Sequence, residues 1–346
     1  RIGNEVKEYT GAWEDHTLLE VFQELGITQV HAPCGGNGTC KKCLVTVEGL
    51  GKVLSCQTQC KDDMCVTVAE EQKSAIAENG NCYLYPADAG EGLLAACDIG
   101  TTTVVCHLLD GATGVRLCTV SAPNAQRSFG ADVISRIQAS VDSGLDKLQS
   151  AIVDQINGML VQLKQKAGRT EDIRRLAVAG NTVMSHLFCG LSPESIGVAP
   201  FTPLSLFGES YDAKQIGIEG CETVYVVPSI AGYVGGDIVA DLAAVQMHSS
   251  VLAEDGEKET LMLDIGTNGE MVLGKSGSYV CCATAAGPAF EGAEIAMGMP
   301  AASGAISKVW LVDGKICCST INDAPAVGIC GSGLIDALAV FLETEL

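Results

Sequence analysis

Hydrophobic residues along the chain recur with two periods, one typical of helices and one typical of strands. Residues 145–167 predict a long helix whose buried stripe consists of Leu148, Ile152, Ile156, Leu160 and Leu163. Short apolar runs such as residues 93–97 and 174–180 predict strands. Because both element types are present, we expect a mixed α+β and α/β fold.

The first seventy residues predict a unit of their own. Residues 17–27 place apolar side chains on one helical face, and Gly26 marks the end of that helix. Residues 44–48, 53–56 and 65–68 are short alternating or apolar runs, which predicts three strands. A small sheet that grips one helix is the β-grasp arrangement.

The next part of the chain predicts the order β-β-β-α-β-α-β-α. Its predicted elements are strands at 93–97, from Thr103 and at 115–121, helices at 131–141 and 145–167, a strand at 174–180, a helix from Asn181, a strand at 222–228 and a helix at 235–247. A Pro-containing insertion at 192–220 interrupts this order.

The pattern then begins again. The sequence CDIGTTTVV around Asp98 returns as LDIGTNGEM around Asp264, about 166 residues downstream, which is too far for a solenoid and indicates a duplicated domain. We therefore predict four segments, namely a first domain at 1–70, a linker at 71–92, a first lobe at 93–250 and a second lobe at 251–346. The second lobe stops inside a helix, and by analogy with the first lobe we expect it to be incomplete.

Composition narrows the class of protein. The 346 residues are 47% hydrophobic, which indicates a globular protein, and no apolar run reaches the ~18 residues of a membrane span. A net charge of −21 disfavours nucleic acid and anionic membranes as partners. The 17 cysteines are an odd number, and several lie in apolar stretches, as expected for buried thiols in the reducing cytoplasm.

Four cysteines in a Gly-rich stretch predict a metal cluster. Cys34, Cys40 and Cys43 lie in one loop, and Cys56 follows a predicted strand. This arrangement is typical of a [2Fe–2S] cluster, although the first gap holds five residues instead of the plant-type four. Structural zinc would require two CxxC-like pairs, and only Cys40 and Cys43 form one. The N-terminal unit is therefore predicted to be ferredoxin-like.

Two further cysteines leave the choice of the fourth ligand open. Cys60 and Cys65 are alternative ligands, but Cys56 stands directly after a predicted strand, as a closing ligand should. Free thiols or a disulfide are a weaker interpretation, because three cysteines within ten residues beside several glycines pack poorly as core residues.

The two DIGT turns predict phosphate-binding loops. Each places a carboxylate, Asp98 or Asp264, at a strand end, where its oxygens suit Mg²⁺ or its bound waters. The backbone amides and hydroxyls that follow suit phosphate; these belong to Gly100, Thr101, Thr102 and Thr103 in the first turn and Gly266, Thr267 and Asn268 in the second. One such turn is ordinary turn chemistry, whereas two at the start of duplicated units are a specific signal.

These motifs resemble the superfamily of acetate and sugar kinases, heat-shock chaperones and actin, whose two lobes have the RNase H-like fold and bind ATP. The resemblance implies that Asp98 and Asp264 open the two phosphate loops, and that GGDIVADLAAV is the first connecting helix, with Asp237 as a catalytic carboxylate. A helix N-cap is the alternative role for Asp237. GICGSGLIDAL resembles the adenosine loop, built on Gly331, Ser332 and Gly333.

A [2Fe–2S] β-grasp domain joined to such an ATPase resembles the reductive activators of corrinoid-dependent enzymes. Further stretches carry the likeness, namely NAQRSFGADVISRI, VAGNTVMSHLF, AGYVGGD and AAGPAFEGAEI. The resemblance implies ATP-dependent one-electron reduction of Co(II) to Co(I) on a corrinoid protein or corrinoid-dependent methyltransferase. It also implies an external low-potential electron donor, and a homodimer is compatible with it.

Two other functions remain open at this point. A metabolite kinase with an accessory cluster would use Asp237 as general base for a phosphoryl acceptor, but the sequence shows no acceptor-specific signature. A nucleotide-gated redox sensor or electron-transfer partner would need the same two domains and no corrinoid chemistry.

Overall fold

The computed structural model describes residues 6–27, 30, 32, 36, 38, 43–61, 63–68, 90–248, 259–266, 268–275, 278–284, 296–299, 301–312 and 314–344. The chain divides into two compact units. The first contains the described residues up to 244, and the second contains those from 245 onward.

The N-terminal part of the first unit is a small sheet with one helix. Helix α1 (Leu18–Glu24) is followed by strands β1 (Leu44–Val47), β2 (Gly51–Leu54) and β3 (Val66–Thr67), in the antiparallel order β2-β1-β3. A capping box starts α1, since the Thr17 hydroxyl accepts from the Glu20 amide while the Glu20 carboxylate accepts from the Thr17 amide. The predicted helix and sheet are confirmed.

One detail of this part differs from the prediction. Residues 53–56 were expected to form a strand, but β2 ends at Leu54, and Ser55–Gln57 form a 3-10 turn. Cys56 therefore lies in a turn that directs its side chain inward, and its exposed fraction is 6%.

A six-stranded sheet forms the centre of the first unit. Its strands are β4 (Leu93–Ile99), β5 (Thr103–Asp110), β6 (Arg116–Pro123), β7 (Ile173–Gly180), β8 (Ser210–Asp212) and β9 (Cys221–Val226), in the order β6-β5-β4-β7-β9-β8. Strand β4 pairs antiparallel with β5 and parallel with β7, and β7 pairs parallel with β9. This order places the ends of β4 and β7 side by side, which is where the predicted phosphate loop begins.

The helices of this unit are α2 (Val133–Ala139), α3 (Leu145–Ala167), α4 (Thr182–Phe188), α5 (Ala213–Ile216) and α6 (Gly236–His248). All five residues of the predicted stripe on α3 are at most 1% exposed, so the helical pattern is confirmed. They pack into a core with buried residues of β4, β5 and β7.

The helix predicted at 131–141 is shorter than expected. Asp132 caps α2 by accepting a hydrogen bond from the Ser135 amide at 2.7 Å. After Ala139 the chain widens into a π turn, Ser140–Gly144, and Gly144 adopts φ +102° before α3 begins. The insertion at 192–220, for which no elements were predicted, contains β8 and α5.

The second unit contains two three-stranded sheets and a helix. Strands β10 (Thr260–Ile265), β11 (Gly269–Lys275) and β12 (Ser278–Thr284) pair antiparallel in sequence order. Strands β13 (Ala305–Val312), β14 (Lys315–Thr320) and β15 (Gly328–Ile329) form the second sheet in the order β14-β13-β15, and α7 (Gly331–Thr344) follows.

The hairpin β10–β11 confirms the predicted restart of the pattern, whereas β13 to β15 were not predicted. None of the helices in the described part of the chain combines the length and apolar character that crossing a bilayer requires.

Candidate cluster and nucleotide sites

Two of the four predicted cluster ligands lie together in the N-terminal sheet. Cys43 directly precedes β1, and Cys56 follows β2, so the antiparallel register that pairs Leu44 with Leu54 brings the two thiols to one end of the hairpin. Their Sγ atoms are 3.2 Å apart, and both residues are buried, with exposed fractions of 0% and 6%. Cys34 and Cys40 lie outside the described residues.

The surroundings of this thiol pair suit a metal cluster. Burial, followed by the hydrogen bond with Cys43, raises the pKa of the Cys56 thiol. The Gln57 side chain donates to the Gly36 carbonyl at 3.0 Å, and it also lies 3.7 Å from the Cys56 sulfur. Two adjacent buried thiols fit cluster ligation, because bound iron would stabilise the thiolate form that burial disfavours at Cys56.

The alternative ligands Cys60 and Cys65 differ from this pair in their exposure. Cys65 is exposed, and Cys60 is only half-buried, with its Sγ 3.9 Å from the Lys61 carbonyl. Among the described residues no three His, Cys, Asp or Glu side chains converge as metal ligands. Of the four predicted cluster ligands, Cys43 and Cys56 are therefore the two described thiols, and the structure brings them together.

The first predicted phosphate loop connects β4 to β5. Asp98 is the penultimate residue of β4, lies beside Ala179 of β7 in the sheet register, and is exposed. Gly100 follows the end of β4, Thr101 is buried, and Thr103 is the first residue of β5.

Residues distant in sequence hold this loop in place. The Asn124 side chain donates to the Gly100 carbonyl at 2.8 Å, and the Asn124 amide donates to the Thr102 carbonyl at 2.9 Å. The Asn181 side chain donates to the Thr101 hydroxyl at 3.0 Å. The same Asn181 caps α4 by accepting from the Met184 amide at 3.0 Å, so loop and helix share one anchor.

Arg136, which the sequence analysis did not single out, lies directly behind the loop. Its exposed fraction is 0%, its Nη2 donates to the Thr101 carbonyl at 2.5 Å, and its Nε donates to the Gly130 carbonyl at 3.0 Å. Burial lowers the pKa of Arg136 to about 9, so the guanidinium still carries its charge at neutral pH. The quoted motif NAQRSFGADVISRI contains this arginine, but nothing in its spacing indicates burial.

Asp237 lies in the first turn of α6 rather than at the cap position before it. Its Oδ1 accepts from the Ile238 amide at 2.9 Å, and the residue is half-buried. A Cβ atom at Gly235 would collide with the backbone of Asn181 and Thr182, so glycine is required where this helix approaches the anchor of the first loop.

The second predicted phosphate loop lies between β10 and β11. Asp264 stands directly opposite Glu270 in the antiparallel register. Glu270 is 5% exposed, and burial raises the pKa of the Asp264 carboxyl. The Gly266 amide donates to the Asn268 carbonyl at 3.0 Å, whereas Thr267 lies outside the described residues.

The sequence analysis gave Glu270 no role of its own. Its position six residues after Asp264 in a tight hairpin would have predicted that the two residues stand opposite each other. Two carboxylates on one face of the hairpin match the oxygen-rich surroundings that a hard cation prefers.

The predicted adenosine loop forms the start of α7. Gly331, Ser332 and Gly333 are its first three residues, and the Ser332 hydroxyl donates to the Ser307 carbonyl at 3.0 Å. A side chain at Gly333 would collide with the carbonyl of Ile306 in β13. Only glycine at this position allows the helix to approach the sheet so closely. The helix N-terminus offers amides suited to an anionic or polar ligand.

Comparison with known protein families matches three consecutive parts of the chain. Residues 8–71 match the family described as a 2Fe-2S iron-sulfur cluster binding domain. Residues 93–250 match the RACo middle region, and residues 258–346 match the C-terminal domain of RACo, the ASKHA domain. These three matches account for most of the chain.

Individual relatives give the same result. The chain is 32% identical to the corrinoid activation enzyme RamQ of Eubacterium limosum, over 96% of this chain and 69% of that protein. It is 28% identical to the [Co(II) methylated amine-specific corrinoid protein] reductase of Methanosarcina barkeri, over 72% of this chain and 51% of that protein.

A solved structure also resembles the whole chain. It is that of a reductive activator for corrinoid,iron-sulfur protein, with a TM-score of 0.62 and 31% identity over 98% of this chain and 72% of that chain. The chain therefore belongs to the RACo family of corrinoid activators, in which a [2Fe–2S] domain precedes the RACo middle region and the ASKHA domain.

Proposed function

We propose that this protein is an ATP-dependent reductive activator that returns a corrinoid protein from Co(II) to Co(I). The observation that carries the proposal is the presence, in one chain, of a [2Fe–2S] domain and both RACo ATPase regions. When bound, the cluster supplies the single electron that converts Co(II) to Co(I). Hydrolysis of ATP to ADP and phosphate drives the transfer.

The electron transfer requires an energy source because it runs uphill. Plant-type clusters have potentials of about −400 mV, and the proposal takes the Co(II)/Co(I) couple to be lower still. A gap of ~100–200 mV for one electron corresponds to about 2–5 kcal/mol. A nucleotide-driven conformational change can supply this amount.

In this proposal the cluster is held by Cys34, Cys40, Cys43 and Cys56. The 3.2 Å separation of the Cys43 and Cys56 sulfurs supports the second half of that set. The buried position of both thiols also excludes water from one side of the site, which favours a low potential.

The nucleotide roles follow from the two loops and two helices. Asp98 and Asp264 hold Mg²⁺ or its waters, and the backbone and hydroxyl groups of residues 100–103 and 266–268 hold the phosphates. Asp237, in the first turn of α6, orients the attacking water. Residues 331–333 support the adenosine at the start of α7.

The partners are a corrinoid protein or corrinoid-dependent methyltransferase and an external low-potential electron donor. The names of the relatives support the first of these, since they act on corrinoid proteins. We place the protein in the cytoplasm, because none of its described cysteines forms a disulfide. A homodimer is part of the proposal on family resemblance alone.

An anaerobic assay with a purified Co(II) corrinoid protein tests the proposal. The reconstituted protein and a chemical reductant are mixed with it, with and without Mg-ATP, and the Co(I) absorption is followed. We expect Co(I) to appear only with Mg-ATP, and to fail to appear with Cys43→Ser or Asp264→Ala. A normal cluster spectrum with ATP hydrolysis but no Co(I) from any corrinoid protein tested would contradict the proposal and favour a redox sensor.

A further inference from the structure

The first phosphate loop is held from behind through three consecutive backbone carbonyls. Those of Gly100 and Thr102 accept from Asn124, and that of Thr101 accepts from Arg136. In a trans peptide the N–H points opposite to the C=O. Fixing these carbonyls therefore turns the N–H of the following residue in each peptide unit toward the other side of the loop, which is the orientation that an anion-binding loop needs.

Arg136 brings a positive charge for which the described residues provide no ion-pair partner. Its hydrogen-bond partners are two carbonyls and the sulfur of Met184, and none of the described carboxylates lies within ion-pair distance of it. The nearest acidic side chain in sequence, Asp132, caps α2 by accepting from the Ser135 amide. After burial, the largest influence, the positive charge of Arg127 lowers the pKa of Arg136, and the Asp132 carboxylate raises it without forming an ion pair.

A purely structural role explains this arrangement poorly. Two carbonyls could be satisfied by a neutral amide, whereas a fully buried guanidinium carries a large desolvation cost unless an anion compensates it. Arg136 donates to a backbone carbonyl of the loop on which the phosphates of a nucleotide are expected. An anion there would supply the missing charge.

We propose that Arg136 is a positioning residue of the first phosphate loop, which fixes the Thr101 carbonyl and attracts the nucleotide phosphates through its buried charge. This inference rests on the proposed function, because it requires ATP to bind at this loop. Asn124 holds the same loop through its neutral amide, so both ends of the segment from Asn124 to Arg136 support the loop from behind.

The test is calorimetric titration of Mg-ATP into the full-length protein with its cluster reconstituted. Arg136→Gln should raise the Kd for Mg-ATP at least 10-fold, and Arg136→Lys should give an intermediate Kd, because it keeps the charge but loses the planar fork. Arg175→Gln, which removes an exposed charge from β7 of the same unit, is the matched control and should change the Kd less than 2-fold. The visible spectrum of the cluster and the thermal midpoint without nucleotide verify folding.

The outcomes separate the two claims. If the unmodified protein binds no Mg-ATP, the proposed function and this inference both fail. If it binds, but Arg136→Gln binds equally well, only the inference is overturned. Equal losses in the Lys and Gln variants would overturn the role of the charge. Should Arg136→Gln fail to fold, Arg136→Lys alone decides, and a Kd within 2-fold of the parent would overturn the proposal.

Discussion

The side chain of Gln23 donates a hydrogen bond of 2.8 Å to the backbone carbonyl of Ser128, although the two residues are 105 positions apart. Gln23 belongs to α1. At the start of this helix the Leu18 amide donates to the carbonyl of Thr58, which directly follows the turn that contains Cys56. Ser128 belongs to the 3-10 turn that Asn124 caps. The bond therefore joins the cluster domain to the segment that holds the first phosphate loop.

This contact gives a short physical route between the two sites. From Ser128 the chain leads back to Asn124, whose side chain donates to Gly100 in the loop. We therefore expect a change in the loop on nucleotide binding or hydrolysis to reach α1 through this turn. A second contact, between Lys147 of α3 and Glu24 of α1 at 3.9 Å, is partly exposed and contributes little.

Replacement of Gln23 by alanine should weaken this coupling without disabling either site. Loss of one such hydrogen bond costs about 0.5–1.5 kcal/mol, so we expect ATP-dependent Co(I) formation to slow several-fold while the cluster spectrum and the Kd for Mg-ATP stay unchanged. Gln59→Ala, on an exposed glutamine of the same domain, is the control and should leave all three measurements unaltered. An unaltered rate of Co(I) formation in Gln23→Ala would contradict the route.

The cysteine assignment is tested by single serine substitutions. Cys43→Ser and Cys56→Ser should each lose the visible absorption of the cluster and most of the bound iron, because each removes a thiolate ligand. Cys60→Ser and Cys65→Ser should retain both signals, since those thiols are not buried beside the pair. Loss of iron in Cys65→Ser with retention in Cys56→Ser would reverse the assignment.

Asp264 should show opposite effects on stability and on nucleotide binding. Burial raises the pKa of this carboxyl in the folded state, so its ionised form opposes folding once the pH exceeds the unfolded value, and this penalty disappears in acid. At pH 7 we expect Asp264→Asn to have a thermal midpoint equal to or above that of the parent without ligand.

The same variant should lose the stabilisation that Mg-ATP gives the parent, which amounts to about 2.7 kcal/mol at a ligand concentration of 100 Kd. Differential scanning fluorimetry with and without Mg-ATP measures both effects. A lower midpoint without ligand together with a normal ATP response would show that Asp264 is a structural residue.

The core of the first unit depends on the stripe of α3. Ile156 has an exposed fraction of 0%, so Ile156→Ala should destabilise this unit by about 2–5 kcal/mol. Val161 lies on the same helix with an exposed fraction of 50%, and Val161→Ala should change stability by no more than about 0.5 kcal/mol. Urea denaturation followed by circular dichroism measures the difference, and equal midpoints for the two variants would contradict the packing.

The sequence alone predicted those elements whose pattern lies within a short stretch of the chain. The stripe of α3 and the repeated DIGT hairpins are periodic patterns that tertiary packing reinforces, and the structure has them where they were expected. The alternation of apolar and polar residues in AISKVWLV would also have predicted the strand that the structure shows as β13. The sequence predicted a break between 141 and 145, but nothing in it indicated that the break would be a π turn beginning at Ser140.

Features that depend on distant contacts could not be predicted. An arginine inside an amphipathic helix is normally exposed, so nothing in the sequence indicated that Arg136 would be fully buried. The bond between Gln23 and Ser128 depends on how two parts of the first unit that are far apart in sequence meet. Arg136 supports the predicted phosphate loop from behind, whereas a motif in the sequence names only the residues of the loop itself.

The most direct test of the central claim is a single-turnover experiment without any external reductant. Protein with a pre-reduced cluster is mixed anaerobically with a Co(II) corrinoid protein, and Mg-ATP is then added. The account predicts that the electron paramagnetic resonance signal of the reduced cluster decays as Co(I) absorption rises, with one electron lost for each Co(I) formed, and that neither change occurs without ATP. Persistence of the reduced cluster while ATP is hydrolysed would contradict the account.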